Sequence, residues 1–219
     1  MTRAVVATAF GGPEALAVIE TPVSPPGPGE VLISVRAAGT NPIDYKLYSG
    51  VMGQDPARLP MRLGSEAAGV VTEAADGVSG PGGPVRAGDE VVAYPIAGAY
   101  ADDVVVPAAS VIPKPTTLSF EEASGMMLTG VTAAHALTVT QVGAGDTILV
   151  HGASGGVGLM AVQLAVTAGA RVIGTASESG HALLREFGAE PVTYGAGLEE
   201  RVRALALRGV DAAVDCAGG

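Results

Sequence analysis

The apolar positions divide the chain into two patterns. Up to about Thr117, short apolar runs alternate with turns rich in glycine and proline, which is typical of β-strands in an irregular β domain. The predicted strand segments are 4–10, 30–39, 67–74, 89–95 and 102–108. Two Pro- and Gly-rich stretches, 21–30 and 76–90, are each flanked by strand patterns. We therefore interpret them as surface loops of this domain rather than as linkers.

The pattern changes at Ser119, which forms with Glu122 the sequence signature of a helix-capping box. From Asp146 onward, the chain predicts strands at 146–151, 170–175, 190–194 and 210–215, alternating with helices at 157–168, 179–187 and 198–208. Strands that alternate with helices indicate a parallel, doubly wound sheet. We therefore predict an α/β chain of two domains, 1–118 and 119–219.

Glycines cluster between the strand at 146–151 and the helix that follows it. They occupy positions 152, 155, 156 and 158, and Ala153-x-Gly155-x-x-Gly158 is a variant of the dinucleotide fingerprint. The unpaired N–H groups and partial positive charge of a helix N-terminus favour a pyrophosphate, and glycine allows it to approach closely. A tight turn without a ligand is the alternative, but the strand–turn–helix context favours a bound dinucleotide.

The end of the second strand of this half indicates which dinucleotide binds. An Asp or Glu there would bind the ribose 2′-OH of NAD, whereas this chain has 174–177, Gly-Thr-Ala-Ser. Small hydroxyl residues can donate to the 2′-phosphate of NADP, with His181 or Arg185 as charged candidates, so NADP(H) is favoured although Glu178 opposes it. The alternatives are that Ser177 only caps the next helix and that His181 and Arg185 are solvated.

Composition narrows the classes of partner. With 48% hydrophobic and 16% charged residues, a chain of 219 residues can bury a sizeable core. The net charge of −10 would repel a nucleic-acid backbone. The single cysteine, Cys216, permits no internal disulfide and fits a reducing cytoplasm. The N-terminus lacks the apolar core of a signal peptide, and no run reaches about 18 gap-free apolar residues, so no membrane span is expected.

Six ordered blocks resemble a known family. They are 37–50, 63–71, 85–94, 98–108, 128–137 and 151–165. In this order they resemble the medium-chain dehydrogenase/reductase superfamily and, within it, the zinc-independent NADPH:quinone oxidoreductase-like enzymes. The resemblance covers essentially the whole chain. It implies a GroES-like catalytic and substrate domain at 1–118 and a Rossmann-type NADP-binding domain at 119–219.

The resemblance implies hydride transfer from NADPH to a quinone or to the β-carbon of an α,β-unsaturated carbonyl, in a cleft between the two domains. The cofactor carries the chemistry, and the protein orients it and excludes water. Matching the blocks places Asn41 and Thr129 near the nicotinamide and Tyr194 beside the adenosine. The residues implied at the pyrophosphate are Ser154, Gly155, Gly156 and Val157. Gly158 of the fingerprint and Ser177 after the second strand complete the predicted cofactor-binding set.

The zinc ligands of related alcohol dehydrogenases are missing. Where those enzymes carry a Cys and a His, this chain has Asn41 and Ser65, and it lacks their four-cysteine lobe. Asp44 and Glu66 remain, but two carboxylates without His or Cys make a poor zinc site. We therefore expect no metal, and a zinc alcohol dehydrogenase is a remote alternative.

A proton donor is needed if the substrate is an enone, because reduction leaves an enolate. The candidates are Tyr45, Lys46, Tyr48 and Tyr94, and Lys46 stands where some relatives carry a substrate-contacting Tyr. Tyr45 and Tyr48 are three residues apart in a predicted helical turn and share a face, so the alternative for them is a packing role. The alternative for Lys46 is a solvated side chain. Solvent is the alternative source of the proton. Cys216, after the last predicted strand, is expected to be a small buried thiol.

Relatives continue beyond Gly219, and a six-stranded nucleotide domain needs two strands more than the four predicted here. The chain is therefore expected to lack the C-terminal part, which often makes the dimer contact in relatives. Two hypotheses follow. The chain is an NADPH-dependent reductase of a small-molecule quinone or enone, with a homodimer as a candidate assembly, or it is a nucleotide-binding protein of the same fold without turnover.

Overall fold

The computed structural model describes residues 1–218; Gly219, the last residue of the predicted second domain, lies outside the described residues. The chain divides into two compact units, Met1–Leu128 (unit 1) and Thr129–Gly219 (unit 2). The boundary predicted at 118/119 precedes this division, which falls inside a helix that runs from Met127 to Thr140.

Unit 1 is built from antiparallel strands and two short helices. The strands are β1 (Thr2–Ala7), β2 (Leu16–Thr21), β3 (Glu30–Ala38), β4 (Met61–Arg62), β5 (Ala67–Ala74), β6 (Ser79–Gly80), β7 (Gly83–Pro84), β8 (Glu90–Ala93), β9 (Asp103–Pro107) and β10 (Val111–Pro113). The helices are α1 (Pro42–Tyr48) and α2 (Phe120–Ser124). The sheet orders are β2-β1-β4 and β10-β8-β5-β3-β9, with β6 and β7 forming a separate hairpin.

The strand alternation predicted from the sequence builds the core of unit 1. Along β9, Val104 and Val106 are buried, and along β3 the buried residues are Val31 and Ile33. Successive side chains of a strand point to opposite faces, so these alternating positions pack into one cluster. The stretches 21–30 and 76–90 both lie within unit 1, and the second contains the β6–β7 hairpin.

Unit 2 contains the parallel sheet. Its elements are α3 (Met127–Thr140), which begins in the last two residues of unit 1, then β11 (Thr147–His151), α4 (Gly156–Thr167), β12 (Arg171–Ala176), α5 (His181–Glu186), β13 (Glu190–Thr193), α6 (Leu198–Leu205) and β14 (Ala212–Asp215). The strand order is β13-β12-β11-β14, and every pairing is parallel. This order matches the first four strands, 3-2-1-4, of the six-stranded dinucleotide-binding sheet, which confirms the predicted fold class.

Local signals fix several helix ends. The predicted capping box is present: Ser119 N donates to Glu122 Oε2 at 2.8 Å, and Glu122 N donates to Ser119 Oγ at 3.2 Å. The helix predicted at 179–187 instead begins with a 3₁₀ turn, Glu178–Gly180, before α5. The helix predicted at 198–208 ends at Leu205, because the chain then turns so that Gly209 N donates to Ala206 O.

Apolar residues of α4 cover one face of the sheet. Ala161, Val162 and Ala165 are buried in one cluster with Ile148 and Val150 of β11. Small side chains on the helix let it lie close to the strands, which positions its first turn at the end of β11. Within residues 1–218, no helix is both long enough and apolar enough to cross a membrane.

Candidate active site and cofactor groove

A groove of about 420 Å³ opens in unit 2 at the carboxyl ends of the parallel strands. In open α/β sheets ligands bind at this edge. The groove is lined by His151, Gly152, Ser154, Gly155, Thr175, Ala176, Ser177, Tyr194, Cys216 and Ala217. The structure thus brings together four of the residues predicted to bind cofactor, namely Ser154, Gly155, Ser177 and Tyr194. Gly156, Val157 and Gly158 form the first turn of α4 and are not lining residues.

The glycines of the turn serve different purposes. Gly152 has φ +69, a left-handed conformation that favours glycine. A Cβ on Gly158 would collide with the backbone O of Gly152, so Gly158 lets α4 pack on the turn. A Cβ on Gly155 would meet only Gly152 O, at the ordinary contact distance of 3.4 Å, although Gly155 lines the groove. Gly155 is therefore not required by packing of the turn, and its lack of a side chain keeps the groove open.

The first turn of α4 faces no capping side chain. Gly155 is its N-cap, with φ −78 and ψ 170, and within residues 1–218 it has no side-chain capping bond. The N–H groups of this 12-residue helix therefore begin beside the lining residues Ser154 and Gly155. A Cβ on Gly156 would lie 3.1 Å from Cγ2 of Thr129, so Thr129 packs against the start of the same helix.

Hydroxyl groups follow β12. Ser177 is exposed, and its Oγ lies 2.9 Å from Oγ of Ser179. Ser177 is the N-cap of the 3₁₀ turn, but in the described chain its side chain makes no capping bond, so the alternative role as a simple cap is not realised. His181 Nε2 is buried and, among residues 1–218, has no hydrogen-bond partner, whereas Arg185 is exposed.

Tyr194 lies in the loop after β13 and is 54% exposed. Arg201 of α6 holds this loop: its Nη2 donates to Thr193 O at 2.7 Å, its Nε donates to the same oxygen at 3.0 Å, and its Nη1 donates to Ala196 O at 2.9 Å. The sequence did not predict this role of Arg201, because an arginine eight residues after Thr193 belongs to no recognised motif. It is the residue that fixes the backbone carrying Tyr194.

Cys216 and Ala217 line the groove and directly follow Asp215, the last residue of β14. Burial, and then the nearby Asp215 carboxylate, raise the pKa of the Cys216 thiol. The Asp215 carboxylate accepts hydrogen bonds from Ala217 N at 2.8 Å and Gly218 N at 3.2 Å, and these lower its pKa. A thiol with a raised pKa is a poor nucleophile, so Cys216 acts as a small lining side chain.

The predicted reactive residues of unit 1 lie on or before α1. Asn41 is the N-cap of α1, and its Nδ2 donates to Glu66 Oε1 at 2.7 Å. The Glu66 side chain is fully buried, and its Oε2 accepts from Leu128 N at 2.9 Å. Asp44 Oδ2 accepts from Asn41 N at 2.8 Å. The carboxylates left from a zinc-type site therefore fix Asn41 by hydrogen bonds.

Tyr100 completes this network and was missed from the sequence. Its hydroxyl donates to Asp44 Oδ2 at 2.8 Å, across 56 positions of the chain. Burial, and then the hydrogen bond to Asp44, raise the pKa of Tyr100. The phenol is therefore held as a neutral donor. No local motif predicts the Tyr100–Asp44 hydrogen bond, because the two residues lie in different parts of the chain.

The proton-donor candidates differ in exposure. Tyr45 is 51% exposed and Lys46 is also exposed, both on α1. Tyr48, at the end of the same helix, packs on an apolar cluster that includes Met61 and Leu63. Tyr94 is half-buried and precedes a cis proline. Of the two tyrosines expected to share a helix face, only Tyr48 packs, and Tyr45 stays available to solvent.

Comparisons with known proteins match this architecture. A family model described as "Alcohol dehydrogenase GroES-like domain" matches residues 27–116, and one described as "Zinc-binding dehydrogenase" matches residues 156–219. The quinone oxidoreductase of Coxiella burnetii is 36% identical, with a TM-score of 0.85, over 100% of this chain and 69% of that one. The chain belongs to the quinone oxidoreductase-like family of the medium-chain dehydrogenase/reductase superfamily.

Three further proteins have a sequence identity of 35–38% to this chain. A mycobacterial structure complexed with NADPH is 35% identical, with a TM-score of 0.87, over 100% of this chain and 68% of that one. The quinone oxidoreductase of Mus musculus is 38% identical over 88% of this chain and 58% of its own length. The synaptic vesicle membrane protein VAT-1 homolog of Rattus norvegicus is 36% identical over 99% of this chain and 54% of its own length. The chain thus spans little more than half the length of these curated relatives.

The residues present do not fit a zinc ion. Asn41, which stands where zinc-using relatives carry a Cys, has no thiolate or imidazole to offer, and its Nδ2 donates to Glu66 Oε1. Throughout the described residues, no three His, Cys, Asp or Glu side chains are grouped so that they could hold a metal. Zinc in proteins is bound by Cys, His and carboxylate ligands arranged around it, and the Asn41–Glu66 pair offers no such set.

Proposed function

We propose that this chain is the nucleotide-binding and substrate-binding part of an NADPH-dependent reductase that transfers a hydride to a quinone or an α,β-unsaturated carbonyl without zinc. The observation that carries the proposal is the groove beside Gly155, where a helix N-terminus without a capping side chain meets hydroxyl groups rather than an acidic residue. Membership of the quinone oxidoreductase-like family supports it, as does the NADPH complex of a relative that is 35% identical.

The residues of the groove fit a phosphorylated dinucleotide. The N–H groups at the start of α4, with Ser154 and Gly155, would hold the diphosphate, because a helix N-terminus favours an anion. Ser177 would donate to the 2′-phosphate, a position where NAD-binding folds carry a carboxylate. Tyr194 would pack beside the adenosine. When bound, the reduced nicotinamide supplies the hydride.

The chain's own residues bind and orient the substrate and handle the proton. Asn41, held by Glu66, offers a fixed polar group, and Thr129, packed on the start of α4, offers a second. The exposed Lys46 and Tyr45 are the candidates to deliver a proton to the enolate that hydride addition to an enone creates. A quinone accepts its protons on oxygen, for which solvent suffices.

A titration of the purified chain with NADPH and with NADH, followed by nicotinamide fluorescence, tests the cofactor. Benzoquinone and a simple enone are then added while the absorbance of the reduced nicotinamide is recorded. The proposal expects tighter binding of NADPH than of NADH, and oxidation of NADPH only when an acceptor is present. Absence of binding to either dinucleotide would refute the proposal.

The cofactor preference has its own test at Ser177. The variant Ser177→Asp places a carboxylate where the 2′-phosphate would lie, so we expect it to weaken NADPH binding and to leave or improve NADH binding. Thr138→Asp is the control for the added charge, since Thr138 is exposed on α3 and is not a lining residue of the groove. Equal effects of Ser177→Asp on both dinucleotides would contradict the assignment.

A second candidate function is nucleotide binding without turnover. The groove of unit 2 supports it as well, because its lining residues would hold a dinucleotide whether or not a substrate is reduced. Binding of NADPH without oxidation by any quinone or enone would select this candidate. A homodimer, implied by the family resemblance, is tested separately by analytical ultracentrifugation of the same preparation.

A further inference from the structure

One polar side chain of the groove has no part in the proposed function. His151 is the last residue of β11 and immediately precedes Gly152, the first glycine of the turn. Its ring lines the groove and is half-buried. An imidazole at this place can donate or accept a hydrogen bond, depending on which ring nitrogen carries the proton.

Thr175 determines which nitrogen of the His151 ring carries the proton. Its side chain is fully buried, and its Oγ1 accepts from Gly152 N at 3.0 Å and lies 2.7 Å from His151 Nδ1. The hydroxyl has one proton to donate, and His151 Nδ1 is the acceptor that it meets in the described chain. If Nδ1 carried the proton instead, a buried hydroxyl proton would be left without an acceptor, which is costly. The neutral ring therefore carries its proton on Nε2.

The other nitrogen of the His151 ring, Nε2, belongs to a residue that lines the groove. Among residues 1–218, the buried side-chain atoms without a partner are Ser65 Oγ and His181 Nε2, and His151 Nε2 is not one of them. The hydrogen bond formed by the His151 ring uses Nδ1. Nε2–H is thus an accessible donor on a ring whose other nitrogen is fixed by a buried hydroxyl.

The charge beside this donor indicates what it binds. His151 pairs in register with Asp215 of β14, and the two side chains interact electrostatically. A carboxylate on the neighbouring strand opposes a second anion such as a phosphate. A neutral oxygen is compatible with it, and each ribose beside the diphosphate of a dinucleotide offers such oxygens as its hydroxyl groups.

We propose that His151 is a cofactor-binding residue whose Nε2–H donates to a ribose hydroxyl of the dinucleotide, and that Thr175 is the positioning residue that fixes its tautomer. This inference rests on the proposed function, because it requires a dinucleotide in the groove. It adds a donor on β11 to the groups on α4 and after β12 that the proposed function uses.

The tautomer is measured without any ligand. The chain has three histidines, so a long-range ¹H–¹⁵N spectrum of the ¹⁵N-histidine-labelled protein is simple, and His151→Gln identifies the His151 signals. We expect the Nε2–H form in the wild type and in Thr175→Ser, which keeps the hydroxyl. In Thr175→Val we expect a mixture of tautomers. An Nδ1–H form in the wild type would overturn the proposal.

Binding is measured with NADPH by nicotinamide fluorescence. His151→Phe keeps the ring volume and loses the donor, so we expect binding to weaken by about three- to tenfold. His151→Gln keeps an N–H group near the place of Nε2 and should stay close to the wild type. His135→Gln, an exposed histidine on α3, is the control. Unchanged affinity in His151→Phe would overturn the inference alone, whereas no NADPH binding by wild type and His135→Gln would overturn the proposed function with it.

Discussion

Replacing Glu66 by alanine should destabilise unit 1 strongly. The Glu66 side chain is fully buried on β5's N-terminal side, and it accepts from Asn41 Nδ2 at 2.7 Å and from Leu128 N at 2.9 Å. These two bonds tie the start of α1 to the start of α3. In Glu66→Ala both donors lose their acceptor, and the removed carboxyl group and methylene leave a cavity.

The magnitude follows from these contacts. An unsatisfied buried donor costs about 1–3 kcal/mol, and because Asn41 and Leu128 are half-buried, the lower end applies to each. The cavity adds about 1–2 kcal/mol, toward the lower end of the range for truncation of a buried side chain. We therefore expect Glu66→Ala to lower the free energy of unfolding by about 3–4 kcal/mol. Glu66→Gln keeps the volume and one acceptor oxygen, so its cost should be about half as large.

Urea unfolding followed by tyrosine fluorescence measures this loss in unit 1. The chain has no tryptophan and five tyrosines, of which Tyr194 alone lies in unit 2, so a Tyr194→Phe background restricts the signal to unit 1. Glu73→Ala is the matched control, because Glu73 is also a glutamate of unit 1 but lies on β5 with its carboxylate exposed. A loss in Glu66→Ala no larger than in Glu73→Ala would refute the reasoning.

Three further predictions concern other contacts. Arg201→Ala releases the loop that carries Tyr194, so NADPH binding should weaken several-fold, whereas Arg203→Ala, which removes only an exposed ion pair with Glu199, should leave it unchanged; equal effects would contradict this role. Alkylation of Cys216 by iodoacetamide at neutral pH should be slower than that of free cysteine, because burial and Asp215 raise the pKa of the thiol and reduce its thiolate fraction. The alkylation rate should increase as the pH rises. A rate equal to that of free cysteine would contradict a raised pKa. Tyr100→Phe should lower the free energy of unfolding by about 1 kcal/mol, since it removes the hydroxyl bonded to Asp44 and keeps the ring; urea unfolding with no change in midpoint would show that this bond adds nothing.

Elements with strong local signals could be predicted from the sequence. The strand predicted at 67–74 coincides with β5, and the capping box of Ser119 and Glu122 is formed. The glycine turn was found because its strand, turn and helix are consecutive. The helix predicted to reach 208 was too long, since its end depends on a turn at Ala206–Gly209 rather than on its amphipathic pattern.

The side-chain networks of the site could not be predicted in the same way. Glu66 meets Leu128 across 62 positions, Asp44 meets Tyr100 across 56, and Thr175 meets His151 across 24. Each contact depends on how elements that are separated in the sequence pack against one another, and a pattern along one segment carries no information about that packing. Four residues that line the groove, Ser154, Gly155, Ser177 and Tyr194, could be named from the sequence, whereas the groups that orient them could not.

NADPH binding in the groove beside Gly155 is tested by titrating the Gly155→Val variant with NADPH. A Cβ at Gly155 meets only Gly152 O, at 3.4 Å, and its φ of −78 suits any residue, so the variant should fold and unfold like the wild type. Gly143→Val is the control in the same unit, where a Cβ would meet only Asp146 Oδ2, at 4.0 Å, and which does not line the groove. We expect Gly155→Val to weaken NADPH binding by about tenfold or more, or about 1.4 kcal/mol of binding free energy, with the control unchanged. Wild-type affinity for NADPH in a folded Gly155→Val variant would contradict the account.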